Sequence, residues 1–266
     1  MKIKIYIVTY DNDEILNKNL SFLYQSDLQK FNFQIFIINN YGILNDFENY
    51  ENLYVLNNTL RPDFSNGHLS RNWNQALING FKDLNNPDAD LVILMQNDTY
   101  VLNNCFSNLV DLVSKYDFIQ LGAGDQLMCF TPEAVRKIGI FDERFCSIAF
   151  QEADYFLTAF ILHRDKISIN DTVHKRLYNQ ITDVHKNYIQ KVYSENKKHH
   201  VSKWHTYNYQ LFINKWGQEP ESWQQNLLNN LEKSINPLIK RYFFYPYFEK
   251  DITTLKEQNY EYFYIT

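Results

Sequence analysis

Cysteine is scarce. The 266 residues hold three, Cys105, Cys129 and Cys146, an odd number with no metal-type spacing. That pattern offers no disulfide framework and fits a reducing compartment. Glycine and proline number 7 and 6, and no low-complexity linker or internal repeat interrupts the chain. No apolar run approaches the ~20 residues of a membrane helix. Met1-Lys2-Ile3-Lys4 opens directly into a strand pattern rather than a signal peptide. The expected location is cytoplasmic, with peripheral membrane contact left open. A net charge of −5 excludes a wholly basic nucleic-acid binder, though not a local basic patch.

Hydrophobic residues make up 45% of the chain, ample for a core, and charged residues 21%. The central feature is Leu91-Val92-Ile93-Leu94-Met95, five apolar residues followed by Gln96-Asn97-Asp98-Thr99. So short a run reads as a strand buried on both faces, in the middle of an α/β sheet. Ligands of such sheets bind at the carboxyl ends of the strands, where Asp98 lies. A plain Asn-Asp turn is the competing reading.

The rest of the chain is read in order. Residues 2–8 alternate as a strand, and Asp11-Asn12-Asp13 can cap a helix with Ile15, Leu16, Leu20 and Leu23 on one face. Phe33 to Ile38 is a second strand, ending in Asn39-Asn40, and residues 53–56 a short third. Ser70 is placed as the cap of a helix that buries Trp73, Leu77 and Phe81. Another helical stripe runs from Phe106 to Val113. Residues 118–121 and 126–130 are strands. Thr131-Pro132 starts a helix that stops at Gly139. Residues 151–162 are helical and 167–169 form a last strand. From about residue 174 the sequence turns polar, aromatic and mostly helical.

Several motifs in this order resemble the GT-A nucleotide-sugar glycosyltransferases, in particular the inverting family 2. They span roughly residues 3–220. Ile7-Val8-Thr9-Tyr10 resembles the family's first strand and turn, and Phe36-Ile37-Ile38-Asn39-Asn40 its second. Ser70-Arg71-Asn72 resembles its Ala-Arg-Asn helix start. Met95-Gln96-Asn97-Asp98 occupies the place of the Asp-x-Asp metal motif. Gly139 to Phe145 resembles the Gly-x-Phe-Asp-Glu acceptor segment. Phe150-Gln151-Glu152-Ala153-Asp154 takes the place of Phe-Glu-Asp-x-Asp, and Lys215-Trp216-Gly217 resembles a late Lys-Trp-Gly. Gln96 and Gln151 stand where the family carries acids, Glu152 where it has Asp, and Asn74 where Gly is common.

The resemblance implies an α/β GT-A fold, a Rossmann-like mixed sheet flanked by helices, with a C-terminal mainly helical extension. Residues 1–185 would be the catalytic domain, divided into a nucleotide-sugar half (1–99) and an acceptor half (100–185). Residues 186–266 would be the extension. It further implies a metal-dependent inverting glycosyltransferase using a UDP- or dTDP-sugar. Thr9, Tyr10, Asp11, Asn39, Arg71, Gln96 and Asn97 would bind the donor. Asp98, with His174 or its runner-up His185, would hold Mn²⁺ or Mg²⁺. Glu152 would be the general base, with Asp154 binding the acceptor or holding Glu152 in place. The bland alternatives are Gln96 as a turn residue, Arg71 in a surface salt bridge, and both acids favouring a helix start.

Residues 185–210 interleave Lys186, Lys191, Lys197, Lys198 and Lys203 with four histidines and several aromatics. A solvated helical face is the bland reading. The functional one is an anionic or ring-shaped acceptor: a bacterial surface glycan, a lipid-linked saccharide, or a modified nucleic-acid base. The aromatic stretch 241–248 suggests a lid, a homodimer contact or membrane contact. Two rivals remain. A nucleotidyltransferase needs a Gly-rich basic loop after its first strand, whereas Asp11-Asn12-Asp13 is acidic and lacks Gly. A non-catalytic sugar-nucleotide or glycan-binding module is kept alive by Gln96 and Gln151.

Overall fold

Ile3, Ile5 and Ile7 point to one face of the first strand, while Lys4, Tyr6 and Val8 point to the other, as the period of two requires. That alternation sets up a sheet covered on both sides. The computed structural model describes residues 1–10, 12–44, 47, 50–58, 69–122, 124–145, 149–170, 189–191 and 204–217.

Nine strands lie in the described residues. They are β1 (Lys2–Thr9), β2 (Asn32–Asn39), β3 (Leu53–Asn57), β4 (Leu91–Gln96), β5 (Thr99–Val101), β6 (Phe118–Leu121), β7 (Leu127–Phe130), β8 (Ile167–Asn170) and β9 (Ile189–Lys191). The helices are α1 (Asp13–Gln25), α2 (Leu69–Phe81), α3 (Cys105–Val113), α4 (Pro132–Ile138), α5 (Gln151–His163) and α6 (Trp204–Trp216). Seven strands make one sheet in the order β3-β2-β1-β4-β7-β6-β8. Within it β3, β2, β1 and β4 run parallel, and β7 runs antiparallel to β4 and β6. A two-stranded ribbon pairs β5 with β9.

Two apolar layers sandwich the sheet. On one side Ile3, Ile5, Ile7, Ile93 and Met95 meet Leu16, Leu20 and Leu23 of α1 and Phe106 and Leu109 of α3. On the other, Tyr6, Val92 and Leu94 meet Trp73, Leu77 and Phe81 of α2, and the cluster continues through α4 and α5 to Phe212 and Trp216 of α6. The helix signals act as written. The Thr131 hydroxyl accepts from the Ala134 amide at 3.2 Å, and Gly139 closes α4 with φ of 85°. Asp27, from the short 3₁₀ turn after α1, accepts from the Phe106 and Ser107 amides and so caps α3 from a distance.

One expectation is corrected, and two strands lie beyond what the sequence reading placed. Ser70 is not a cap: α2 already begins at Leu69, and the buried Ser70 hydroxyl faces the Phe145 carbonyl at 3.4 Å. Thr99–Val101 forms a strand that no alternation in three residues would reveal. Beyond residue 174 the described residues comprise helix α6 and strand β9, whose pairing partner lies some ninety residues earlier.

Gly80 allows α2 to approach the sheet. A Cβ there would lie 2.5 Å from Cγ2 of Val92, a stiff β-branched side chain on the buried strand β4. Alanine gains about 1 kcal/mol of helix propensity but must push α2 off the sheet. Gly80→Ala should therefore lower stability by about 1–2 kcal/mol in urea denaturation. Adding Val92→Ala should make the alanine at position 80 cheaper than it is alone.

Candidate functional site

The parallel strands end together, so their last residues converge. The Asn40 amide donates to the Thr9 carbonyl at 3.1 Å, and the Asn97 side-chain amide donates to the Thr9 hydroxyl at 3.2 Å. Asn39 donates to the Gly42 carbonyl and to Asn57, both at 3.0 Å. Its side-chain carbonyl oxygen is buried and has no hydrogen-bond partner among the described residues. Tyr10 stacks on Tyr41 with centroids 5.1 Å apart, and Tyr41 is exposed.

The turn that carries Asp98 joins β4 to β5 and is held from behind. Fully buried Asn19 of α1 donates to the carbonyls of Gln96 (3.3 Å) and Thr99 (2.6 Å), one on each side of it. The Thr99 hydroxyl and the Gln96 amide both donate to the Gln126 carbonyl at 3.0 Å. Asp98 is thus fixed at the carboxyl end of the central strand, with one carboxylate oxygen buried.

Across this turn lies a carboxylate that the sequence reading missed. Asp125 is 5% exposed and accepts from Trp73 Nε1 (3.3 Å), Gln151 Nε2 (3.3 Å) and Gln96 Nε2. All three donors are neutral. Burial first, and then the charge of Asp98, push its carboxyl up to about 6 against the hydrogen bonds from Trp73 and Gln151. Its only sequence signal was its place after Gly122-Ala123-Gly124, where a strand breaks.

Glu152 stands on the first turn of α5, half-buried, beside the same segment. A Cβ on Gly124 would lie 3.7 Å from its Cγ and Oε1, and Gly124 has φ of +57°. The backbone leading into α5 is strained. Ala149 and Phe150 have φ of 119° and 68°, values that non-glycine residues rarely adopt. Gln151 Oε1 accepts from the Ala149 amide at 2.7 Å, and Asn208 of α6 donates to the Ala149 carbonyl at 3.1 Å. Phe150 packs against His205, Tyr209 and Phe212 of the same helix.

Asp154 faces away from Glu152. It is 1% exposed and receives Lys215 Nζ at 2.7 Å and Trp216 Nε1 at 2.9 Å. Lys215 also pairs with Asp142 Oδ2 at 2.9 Å, and Arg144 holds Asp142 through two nitrogens. Burial alone would raise the Asp142 carboxyl; the Lys215 and Arg144 charges outweigh it and hold it at about 2. Glu143, equally buried, takes Asn74 at 2.9 Å and Arg71 Nε at 3.8 Å. The acids of the Gly-x-Phe-Asp-Glu segment therefore turn inward, and Arg71 lies beside Glu143.

Thr9, Asn39, Gln96, Asn97, Asp98 and Glu152 are the foreseen residues gathered at this end of the sheet. Asp154 and Arg71 belong to the adjoining ion-pair cluster. Asp11, His174 and His185 lie outside the described residues, as does most of 185–210 and all of 241–248. Among the described residues no three His, Cys, Asp or Glu side chains come together to hold a metal. A hard divalent ion does not need three: diphosphate oxygens and water can complete its sphere around one carboxylate. Asp98 fits that role, because its charge acts on buried Asp125 and a bound cation would relieve both. No described helix is long and apolar enough to cross a membrane.

No family model and no curated protein matches the sequence. Solved structures do match. S. aureus TarS residues 1–349, in complex with UDP-GlcNAc, matches at a TM-score of 0.53 and 11% identity, over 98% of this chain and 80% of that one. The longer S. aureus TarS structure gives 0.53 at 12% identity, over 86% of this chain and 42% of that one. The mannosyltransferase PcManGT from Pyrobaculum calidifontis, with GDP-Man and Mn²⁺, gives 0.46 at 11% identity, over 89% and 76%. The chain thus spans less than half of the longer TarS structure. The fold is GT-A, as the sequence motifs implied.

Two measurements test the ion-pair cluster and the buried acid. Lys215→Met leaves Asp154 and Asp142 buried without their shared cation and should cost about 3 kcal/mol or more in urea denaturation. Thermal stability should also bend with pH. The Asp125 carboxyl titrates higher when folded, so its protonation stabilises the protein as pH falls from about 6 towards 3.8. Asp142 titrates lower when folded, so its contribution is complete above 3.8 and is lost as pH falls through about 2. Asp125→Asn should remove the first limb of a Tm–pH curve and spare the second.

Proposed function

We propose that the protein is a metal-dependent inverting glycosyltransferase that moves a sugar from a UDP- or dTDP-sugar to an acceptor hydroxyl. One observation carries the reading. In a GT-A sheet, Asp98 at the end of β4 and Glu152 on the first turn of α5 both border the segment that holds Asp125. Those are the places where such chemistry needs a charge for the leaving diphosphate and a base for the acceptor.

A bound Mn²⁺ or Mg²⁺ would supply positive charge to the departing diphosphate. Asp98 would hold it, and His174 is kept as a second ligand on the strength of the family resemblance alone. Asn19 contributes by fixing the turn, so that Asp98 does not have to be reordered when the donor arrives. The buried side-chain carbonyl oxygen of Asn39, unpartnered among the described residues, suits a base N–H. Tyr10, stacked on exposed Tyr41, offers a face for a pyrimidine. Thr9, Asn97 and Asp11 would border the nucleotide, and Arg71 would serve it indirectly by fixing Glu143 and α2.

Glu152 would take the proton of the acceptor hydroxyl as that oxygen attacks the sugar carbon opposite the diphosphate. Asp154 would be a positioning residue: with its carboxylate on Lys215 and Trp216, it ties the first turn of α5 to α6. The acceptor class favoured is a bacterial surface glycan or lipid-linked saccharide, made by a cytoplasmic or peripherally bound protein. The support is the run of lysines and aromatics in 185–210.

A thermal-shift screen of UDP-, dTDP- and GDP-sugars with and without Mn²⁺ tests the donor. A Mn²⁺-dependent rise with one pyrimidine sugar nucleotide is expected; no shift with any of them would overturn the reading. With that donor, Asp98→Asn should abolish metal-dependent hydrolysis or transfer. Glu152→Gln should lower kcat by about 10²–10⁴ while leaving UDP affinity within a few fold. Equal losses in kcat and affinity would remove Glu152 from the role of base.

A further inference from the structure

Two positions that carry acids in the resembling family are neutral here, Gln96 and Gln151. Both amides end on the same carboxylate. Gln96 Nε2 donates to Asp125 Oδ1, and Gln151 Nε2 donates to Asp125 Oδ2 at 3.3 Å. An ionised carboxylate only accepts hydrogen bonds, and a glutamine amide has one end that donates and one that accepts. Each glutamine is therefore forced to turn its NH₂ group inward. For Gln151 the oxygen left over accepts from the Ala149 amide at 2.7 Å. Gln96 is half-buried at the end of β4, one residue before Asn97 and two before Asp98. Its leftover oxygen is turned away from Asp125.

We propose that Asp125 is a positioning residue that locks the Gln96 amide with its oxygen outward, so that position 96 presents a hydrogen-bond acceptor to an O–H donor of the bound nucleotide. The inference rests on the donor reading above. Position 96 then keeps the acceptor-only face of a carboxylate without its charge, and the charge sits one layer deeper, on Asp125. Through Gln151 the same carboxylate fixes the strained Ala149–Phe150 segment that leads to Glu152. One buried acid thereby sets the polarity of the donor side and the backbone of the acceptor side.

The test is a four-member cycle: wild type, Asp125→Asn, Gln96→Glu and the double variant. An asparagine at position 125 offers an NH₂ that asks for an acceptor, so Gln96 turns round and shows a donor to the nucleotide. Calorimetric titration with UDP should show about a tenfold loss or more for Asp125→Asn. The double variant should bind UDP within about threefold of wild type. There the introduced glutamate accepts from the introduced asparagine with one oxygen and faces the ligand with the other. Without ligand, Gln96→Glu alone sets two carboxylates together and should lower Tm, and adding Asp125→Asn should raise it again. A purely structural Asp125 would not give rescue of UDP affinity by a charge at residue 96. Wild type that binds UDP, with Asp125→Asn unaffected or with no rescue in the double variant, overturns the assignment of Asp125 alone. The titration is run with UDP and with dTDP, and wild type that binds neither overturns the donor reading itself, and with it the presentation of Gln96.

Discussion

Strand β4 can hold nothing charged until its last residues. It lies between β1 and β7, with α1 and α3 over one face and α2 over the other, and Leu91 to Met95 are all fully buried. An unpaired charge in that interior would have to be neutralised or the strand expelled. Polar groups therefore collect at the carboxyl end of the strand. The same constraint on β1 and β2 delivers Thr9 and Asn39 to the same rim. Lys4 is the exception on β1, and it complies by ion-pairing with Asp88 at 2.7 Å and bonding the Gly80 carbonyl at 3.0 Å.

The side that carries α5 and α6 is built on a different principle. There, buried charges are admitted in quantity, each matched: Asp142 by Lys215 and Arg144, Asp154 by Lys215 and Trp216, Glu143 by Asn74 and Arg71. Such clusters contribute little net stability compared with apolar packing, because desolvation offsets most of the attraction. What they give is geometry. A methionine at position 215 would tolerate many placements of α6; a lysine between two carboxylates tolerates few. The specific placement of α6 matters because it braces the Ala149–Phe150 segment just ahead of Glu152.

The sequence disclosed local features and long-range pairings unequally. Strand positions, helix faces and the Thr131 and Gly139 signals follow from local periodicity and capping, so they were legible. So was the placement of Asp98 just past the carboxyl end of β4, because a five-residue apolar run points at whatever follows it. Asp125 was not legible, since its importance comes from three donors that lie 52, 29 and 26 residues away in the chain. The pairing of Asp154 with Lys215 was hidden for the same reason. An acid on the first turn of a helix looks identical whether it faces a substrate or a buried lysine. Ser70 misled because a cap residue and an early helical serine share a sequence signature, and only the position of Leu69 separates them.

The placement of α6 also has a consequence for the order of assembly. Strands β1 to β4 and β7, with helices α1 to α3, lie within the first 130 residues, so the polar rim at the ends of β1, β2 and β4 can form as soon as that length has left the ribosome. The turn into α5 is unfavourable in isolation, with two non-glycine residues at positive φ. Its bracing contacts with α6 reach as far as Trp216, more than sixty residues later. During synthesis the chain therefore passes through a stage in which one wall of the site is finished and the other still lacks its support.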